Sequence, residues 1–170
     1  MTKNFNLNTE DQEEWLTPLS LIQALGKFDL DPCAPPPSRR LWDTAKKHYS
    51  KEEHGDGLSL PWPQFDRVWL NPPYGKETWK WLNKLALHKY GIALVFARTE
   101  TVGFHEEVWN KANGIFFFKG RIKFGKTSTG KFDQPANAPS CLVSYSSIDT
   151  TIIRDALKTG KIHGKLICKR

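Results

Sequence analysis

The residues best suited to chemistry form a short run, Asn71-Pro72-Pro73-Tyr74, which follows the apolar segment 67–70. Two successive prolines remove two backbone donors and fix φ twice, and Asn71 is restricted to extended geometry because it precedes a proline. We expect the carbonyls of Asn71 and Pro72, with the Asn71 side-chain oxygen, to be acceptors that point into a cleft beside the Tyr74 ring. Such acceptors suit a planar ligand that carries an NH2 group and stacks on Tyr74.

A purely structural role is the alternative for this run. It would then be a proline-stiffened turn in which Asn71 bonds its own loop. The apolar strand predicted before the run and the aromatic residue that ends it favour the functional interpretation.

The elements that must position this run alternate between strands and helices. Apolar and β-branched segments predict strands at 27–31, 67–70, 91–97, 115–118 and 141–145. Helical spacing and cap residues predict helices at 17–25, 76–89, 101–112 and 149–158, with a weaker helix at 41–49.

This alternation predicts parallel β-α-β units, and the last two strands, joined by a long loop, predict an antiparallel C-terminal hairpin. We therefore expect one α/β domain over residues 1–170, with a mixed, mostly parallel sheet and helices on both faces. Ligands of such sheets bind beyond the carboxyl ends of the strands. Asp31-Pro32 and the run that starts at Asn71 follow two of these ends.

Charge is unevenly distributed along the chain. The net charge is +7, but residues 1–118 carry a net −1 and residues 119–170 a net +8. This pattern indicates a near-neutral body with a basic flank that could attract a polyanion. No apolar run reaches the roughly 18–20 residues of a membrane span. Three distant cysteines at 33, 141 and 168 show no metal or disulfide spacing. We expect a cytoplasmic protein with no membrane association and no metal.

Several segments together resemble a known family. Leu70 and the four residues after it resemble the amino-methyltransferase motif of enzymes that methylate exocyclic nitrogens with S-adenosylmethionine. A set of segments in one order resembles, more narrowly, the Dam-like DNA adenine-N6 methyltransferases of phages and prophages. The set comprises WLTP at 15–18, DLDPCA at 29–34, DGL at 56–58 before Trp62, ARTET at 97–101 before Phe104-His105, and GRIKF at 120–124.

The resemblance implies a Rossmann-like class I methyltransferase fold and S-adenosyl-L-methionine as cofactor. The substrate would be adenine in double-stranded DNA, within a short GATC-like site. Catalysis would rest on Asn71, Pro72, Pro73 and Tyr74. The implied cofactor-binding residues are Trp15, Thr17, Pro18, Asp31, Pro32, Cys33, Ala34, Asp56, Gly57 and Leu58. One departure concerns residues 33–37, which read CAPPP where many such enzymes have a Gly-x-Gly turn.

The N6 lone pair of adenine is delocalised into the ring, so N6 is a poor nucleophile. The mechanism implied by the resemblance has to activate it. Acceptors at Asn71 and Pro72 would polarise the amino group and stabilise the developing charge. The base must leave the helical stack to be reached, and Tyr74 would stack on it. No covalent cysteine intermediate is needed, so Cys33 is interpreted as a packing or cofactor contact.

Cations without neighbouring acids are concentrated in the loop 119–139, which we expect to contact DNA. Residues 159–170 are expected to form a basic tail that is solvated or adds a general attraction to phosphates. The candidate DNA-binding residues are Arg39, Arg40, Arg98, Arg121, Lys123, Lys126 and Lys131. A solvated loop is the alternative for the first segment. His54 and His105 stand alone and are expected to have surface or packing roles.

Three other functions stay open on the sequence alone. RNA and protein-glutamine methyltransferases share the four-residue motif, so either acceptor could replace DNA. A non-catalytic DNA-binding module with a degenerate site is the third alternative. The length of 170 residues leaves little room for a separate recognition domain, and we expect a monomer or a weak dimer.

Overall fold

The structure is a computed structural model that describes residues 15–126 and 134–169, with their side chains except those of Trp15, Lys126 and Gln134. The strands are β1 Trp15–Leu16, β2 Leu30–Asp31, β3 Lys47–His48, β4 Val68–Leu70, β5 Gly91–Phe96, β6 Gly114–Phe118, β7 Lys123–Lys126, β8 Gln134–Pro135, β9 Ser140–Ser144 and β10 Gly164–Cys168. The α-helices are α1 Leu19–Leu25, α2 Lys51–His54, α3 Thr78–His88, α4 Val102–Phe104 and α5 Ser147–Lys158. A 3-10 turn spans Pro37–Arg39, and α4 continues as π-helix over His105–Trp109.

The main sheet has seven strands in the order β10-β6-β9-β5-β4-β2-β3. Strands β2, β3, β4 and β5 pair in parallel. Strand β9 runs antiparallel between β5 and β6, so β6 points the same way as β5. Strand β10 closes the other end, antiparallel to β6. The predicted mixed, mostly parallel sheet with an antiparallel C-terminal pair is confirmed, and the architecture is consistent with a Rossmann-like methyltransferase fold.

Helices cover both faces of this sheet because side chains alternate across each strand. Trp69 on β4 and Ile92 on β5 face the cluster formed with α1 and α5, whereas Leu70 and Ala93 face the cluster formed with α3 and α4. Each strand of the centre is apolar on both faces, as expected for strands buried between two helical layers. No described helix combines the length and the apolar character that crossing a membrane requires.

An ion pair ties the elements together at the amino edge of the sheet. Arg67 Nε donates to Asp149 Oδ1 at 2.8 Å, and both side chains are buried. Arg67 Nη1 also donates to the carbonyls of Leu25 and Lys27 at 2.9 and 3.0 Å. Asp149 Oδ2 accepts from Gly91 N at 2.9 Å. One buried pair therefore joins the start of β4, the start of β5, the end of α1 and the first turn of α5.

A second, three-stranded antiparallel sheet in the order β1-β7-β8 corrects the prediction that 119–139 is only a loop. Strand β7 pairs with both neighbours, Trp15 lying opposite Lys126 and Lys123 opposite Pro135. Residues 127–133, which include the candidate Lys131, lie outside the described part of the chain. The partner strand β1 is about 110 residues away in sequence, so local composition could not predict this pairing.

Two other sequence predictions are wrong. The weak helix at 41–49 is absent: residues 41–46 are irregular and Lys47–His48 is strand β3. Thr44 there donates its hydroxyl to Asp31 and Trp42 its indole N–H to the Thr17 carbonyl, contacts that hold an extended path. The expected basic tail at 159–170 contains the edge strand β10, which pairs with β6. The mixed composition of this segment gave no strand signal.

Candidate active site

The carboxyl ends of β2, β4 and β5 lie side by side and place Asp31, Asn71 and Phe96 along one edge of the sheet. Hydrogen bonds join the first two ends. Cys33 N donates to Asp31 Oδ1 at 3.1 Å, and the Cys33 thiol donates to the Asn71 carbonyl at 3.1 Å. The predicted meeting of Asp31 and the Asn71 run at this edge is therefore present in the structure.

The carbonyls of the proline run are not equivalent. The Asn71 carbonyl accepts from the Cys33 thiol, and the Pro73 carbonyl accepts from Thr78 Oγ1 at 2.7 Å. No described residue donates to the carbonyl between them, that of the buried Pro72. Of the two carbonyls expected to face a ligand, that of Asn71 therefore already accepts one bond, which anchors the loop after β2.

The Asn71 side chain is oriented by the segment before α1. Its Nδ2 donates to Thr17 Oγ1 at 3.4 Å. Thr17 is itself held, because it is 3% exposed and its carbonyl accepts from Trp42 Nε1 at 3.2 Å. Pro18 follows as the cap residue of α1. Of the candidate residues in this segment, Thr17 touches the proline run, Pro18 is its neighbour, and the side chain of Trp15 is outside the described atoms.

Asp31 is a buried carboxyl group in a polar cage. Its side chain accepts from Thr44 Oγ1 and from Cys33 N. Burial raises its pKa to about 6, while the bonds from Thr44 and Cys33 and the charge of Arg40 act in the opposite direction. Perturbed carboxyl groups of this kind concentrate at functional sites. Burial likewise raises the pKa of the Cys33 thiol well above its ordinary value, so this thiol is a donor and not a nucleophile.

The turn with Asp56, Gly57 and Leu58 lies directly against the loop after β2. A Cβ placed on Gly57 would stand 1.9 Å from the Pro32 carbonyl oxygen, so only glycine allows this approach. Asp56 Oδ1 closes the turn by accepting from Leu58 N at 3.0 Å. Ala34 is buried in the same loop. The structure thus brings the predicted cofactor segments 31–34 and 56–58 into contact.

Lys84 holds this turn from helix α3 and was missed from the sequence. Its Nζ donates to the carbonyls of Leu58 and Leu60 at 2.7 and 2.6 Å and lies over the Trp62 ring at 4.7 Å. Trp62 Nε1 donates to the Gly57 carbonyl at 3.0 Å. Desolvation lowers the Lys84 pKa. The sequence did carry one signal for this role, because Lys84 lies beside the apolar positions of an amphipathic helix.

Tyr74 stacks on a second aromatic residue, Phe96, at the end of β5. The ring centroids are 3.9 Å apart and the planes differ by 6°. Tyr74 is 37% exposed as a whole residue, and Phe96 covers one face of its ring. Arg98 lies beside the pair, with its guanidinium carbon 5.9 Å from the Phe96 centroid. Phe96 was also missed, because in the sequence it is only the last residue of an apolar strand.

The other candidate DNA-binding residues fall into two groups. Arg39 pairs with Glu52 of α2, and Arg40 pairs with Asp43 at 3.2 Å, so both guanidinium groups have carboxylate partners within the chain. Arg121 and Lys123 are exposed on the strand-rich segment after β6. The backbone of Lys126 pairs in β7, and its side chain is not described.

No group of three or more histidine, cysteine or acidic side chains in the described ranges could hold a metal ion. His54 Nδ1 accepts from Ser50 N at 3.3 Å at the end of the short helix α2. His105 opens the π-helical turn after α4. Neither contact indicates chemistry, and the expected structural role of both histidines remains a prediction.

Comparison with known proteins identifies the family. The model of the family described as DNA N-6-adenine-methyltransferase (Dam) matches residues 4–160. Neither the curated proteins nor the solved structures gave a match. The matched range contains β1 to β9, helix α5 and every strand end at the site. The chain belongs to the DNA N-6-adenine-methyltransferase (Dam) family.

Proposed function

We propose that this protein transfers a methyl group from S-adenosyl-L-methionine to N6 of adenine in double-stranded DNA. The single observation that carries the proposal is the buried Pro72 carbonyl, which no described residue engages although its neighbours on both sides are bonded. An acceptor held by its neighbours, beside the Asn71 amide and the Tyr74 ring, suits an aromatic amine. Membership of an adenine-N6 family makes adenine that amine.

The residues at the carboxyl edge fit the proposed cofactor. The buried Asp31 would accept from hydroxyl groups, and the turn of Asp56 and Leu58 would border an adenine ring. The close approach that Gly57 permits forms the wall between these segments. Cys33 and Ala34 stand in place of the Gly-x-Gly turn of many relatives, and the Cys33 thiol anchors that loop to the Asn71 carbonyl instead. When bound, the cofactor supplies an electrophilic methyl group on a sulfonium.

The chain's own part in the reaction is positioning and electrostatics. The Pro72 carbonyl and the Asn71 side chain accept N–H bonds from the amino group and favour pyramidal geometry at N6 as the new bond forms. Thr17 fixes the Asn71 amide through its Oγ1, and Thr78 fixes the loop through the Pro73 carbonyl. Holding both reactants in line lowers the barrier without any covalent enzyme intermediate.

The substrate base has to be extruded from the duplex before it reaches this edge. Tyr74 offers a ring for stacking, and Phe96 supports that ring from the other side. The exposed Arg98, beside Phe96, would contact a phosphate next to the extruded base, and the exposed Arg121 and Lys123 would contact phosphates farther along the strand. We further propose a short, GATC-like site, a monomer or weak dimer, and action in the cytoplasm.

Methyl transfer from labelled S-adenosylmethionine to unmethylated DNA tests the proposal. We expect label in N6-methyladenine, and modified-base sequencing then identifies the site. Asn71→Ala should lose turnover but keep most cofactor binding, whereas Asn110→Ala, at an exposed position, should behave as wild type. Label only in RNA or protein, or no cofactor binding by calorimetry, would replace DNA methylation by one of the alternatives. Full activity in Asn71→Ala would remove the mechanism.

A further inference from the structure

A groove of about 460 Å³ lies between the start of α1, the turn after β6 and the turn that joins α5 to β10. Its rim carries Lys119, Arg121, Lys123, Lys161 and His163, and no acidic side chain among the described residues lines it. The four lysine and arginine side chains make no ion pair with any described residue. Arg121 Nη1 donates to the Ala136 carbonyl at 3.1 Å, and no described carboxylate neutralises the charge of the four cations.

The floor of the groove is apolar. Leu21, Ile122 and Ile162 line it and are 6%, 9% and 4% exposed. A free inorganic anion gains nothing from such a floor. A nucleic-acid strand matches both parts, because its sugars present apolar faces and its phosphates repeat along the edge where the cations stand.

Main-chain bonds hold the two basic walls together. Lys119 N donates to the His163 carbonyl at 2.8 Å, and Phe118 lies opposite Gly164 in the β6–β10 pair. Lys161 N donates to the Ala156 carbonyl at 2.9 Å, which closes the turn after α5. The cations of the two walls are thus carried on a rigid frame, although their sequence positions are about 40 residues apart.

The groove lies beside the candidate active site. Strand β6 points the same way as β4 and β5, so its carboxyl end lies at the same edge as Asn71. Pro18 lines the groove, and Thr17 just before it accepts from Asn71 Nδ2. A strand that lies in the groove would therefore reach the proline run within a few nucleotides.

We propose that this groove holds the sugar-phosphate backbone of the DNA substrate, with Lys119 and Lys161 as phosphate contacts on opposite walls. The inference rests on the proposed function. It assigns specific phosphate contacts to a turn, 159–163, for which the sequence indicated a solvated tail or a general attraction to phosphates.

The test compares two double variants of equal charge change. Lys119→Gln/Lys161→Gln removes the proposed contacts, and Lys27→Gln/Lys89→Gln removes two exposed lysines that precede β2 and β5 at the opposite edge. The affinity for a labelled duplex oligonucleotide is measured by fluorescence anisotropy at several KCl concentrations. Each phosphate contact contributes about 0.9 to the slope of log affinity against log salt.

We expect the slope of the groove variant to be smaller than that of wild type by about 1.8. Raising the salt from about 50 to 200 mM should therefore weaken the DNA affinity of wild type about tenfold more than that of the variant. The control variant should keep the wild-type slope, and both should bind S-adenosylmethionine as wild type does. Equal slopes in the two variants would overturn the groove. If only the groove variant loses slope but wild type methylates no DNA, the groove proposal holds and the proposed function fails. If wild type methylates DNA but the two variants have equal salt slopes, the proposed function holds and the groove proposal is refuted.

Discussion

Gly57→Ala tests whether two separate loops form one cofactor wall. Gly57 does not have a positive φ, so alanine brings no backbone strain there and acts only through its methyl group. That group would lie 1.9 Å from the Pro32 carbonyl oxygen and 2.9 Å from the Trp81 ring. A carbon–oxygen contact normally needs about 3.3 Å. The turn and the Pro32 loop must therefore separate by roughly 1.4 Å.

The turn resists this movement because Lys84 holds the carbonyls of Leu58 and Leu60. Overpacking of this kind costs about 1–3 kcal/mol, and for a chain of this size each kcal/mol lowers Tm by about 2–4 °C. Both loops belong to the proposed cofactor site, so we expect the Kd for S-adenosylmethionine to rise about 5- to 150-fold.

Isothermal calorimetry measures the affinity, and thermal unfolding measures the stability. Gly55→Ala is the matched control in the same turn: it has open space around it but a φ of +83°, so it should cost about 1–2 kcal/mol of stability without moving Pro32. We expect the control to keep its cofactor affinity. Wild-type affinity in Gly57→Ala would refute the idea that this contact shapes the cofactor site.

Three other variants test the site and the fold. Burial raises the pKa of Asp31 from 3.8 to about 6, so the stability that its protonated form contributes is complete below about pH 4 and is lost as pH rises through 6. Near pH 4, Asp31→Asn should therefore have the same free energy of unfolding as wild type, and at pH 8 it should be up to about 3 kcal/mol more stable. It should also bind S-adenosylmethionine more weakly. A variant with the stability of wild type at both pH 4 and pH 8 would contradict the burial argument. Arg67→Ala leaves the Asp149 carboxylate buried without its partner and should cost about 3–5 kcal/mol in chemical denaturation, whereas Lys46→Ala, which breaks an exposed pair, should cost less than about 1 kcal/mol. Tyr74→Phe should keep kcat/KM for DNA, and Tyr74→Ala should lower it about 5- to 150-fold, which corresponds to about 1–3 kcal/mol, if the ring and not the hydroxyl stacks on the base as proposed. An equal loss in both Tyr74 variants would assign the role to the hydroxyl.

Local patterns predicted the strands that are buried on both faces. Segments 67–70, 91–97 and 141–145 are largely apolar and form β4, β5 and β9 within one or two residues. Predictions failed where a segment's conformation depends on distant partners. The stretch 41–46 is extended because Thr44 and Trp42 bond to Asp31 and Thr17, and β10 exists because β6 offers an edge for pairing.

The residues of the candidate site also fall into those that local sequence predicted and those that it did not. The run at Asn71 was found because prolines restrict the backbone whatever surrounds them. The roles of Phe96 and Lys84 were missed because each is an ordinary strand or helix residue until a neighbour from another element reaches it. Lys84 is separated by 24 residues from the carbonyl it holds at Leu60.

The sequence by itself determined the proline run, the order of the family's segments and the basic last third, because these depend on residue type and on local backbone restriction. Only the tertiary structure decided that the Cys33 thiol donates to the Asn71 carbonyl while no described residue donates to the Pro72 carbonyl. It also placed Lys161 and Lys119 on the walls of one groove at the edge that bears the site. In both cases the residues brought together are about 40 positions apart in the chain. Spacing along the sequence does not encode such contacts, which follow from strand order and packing.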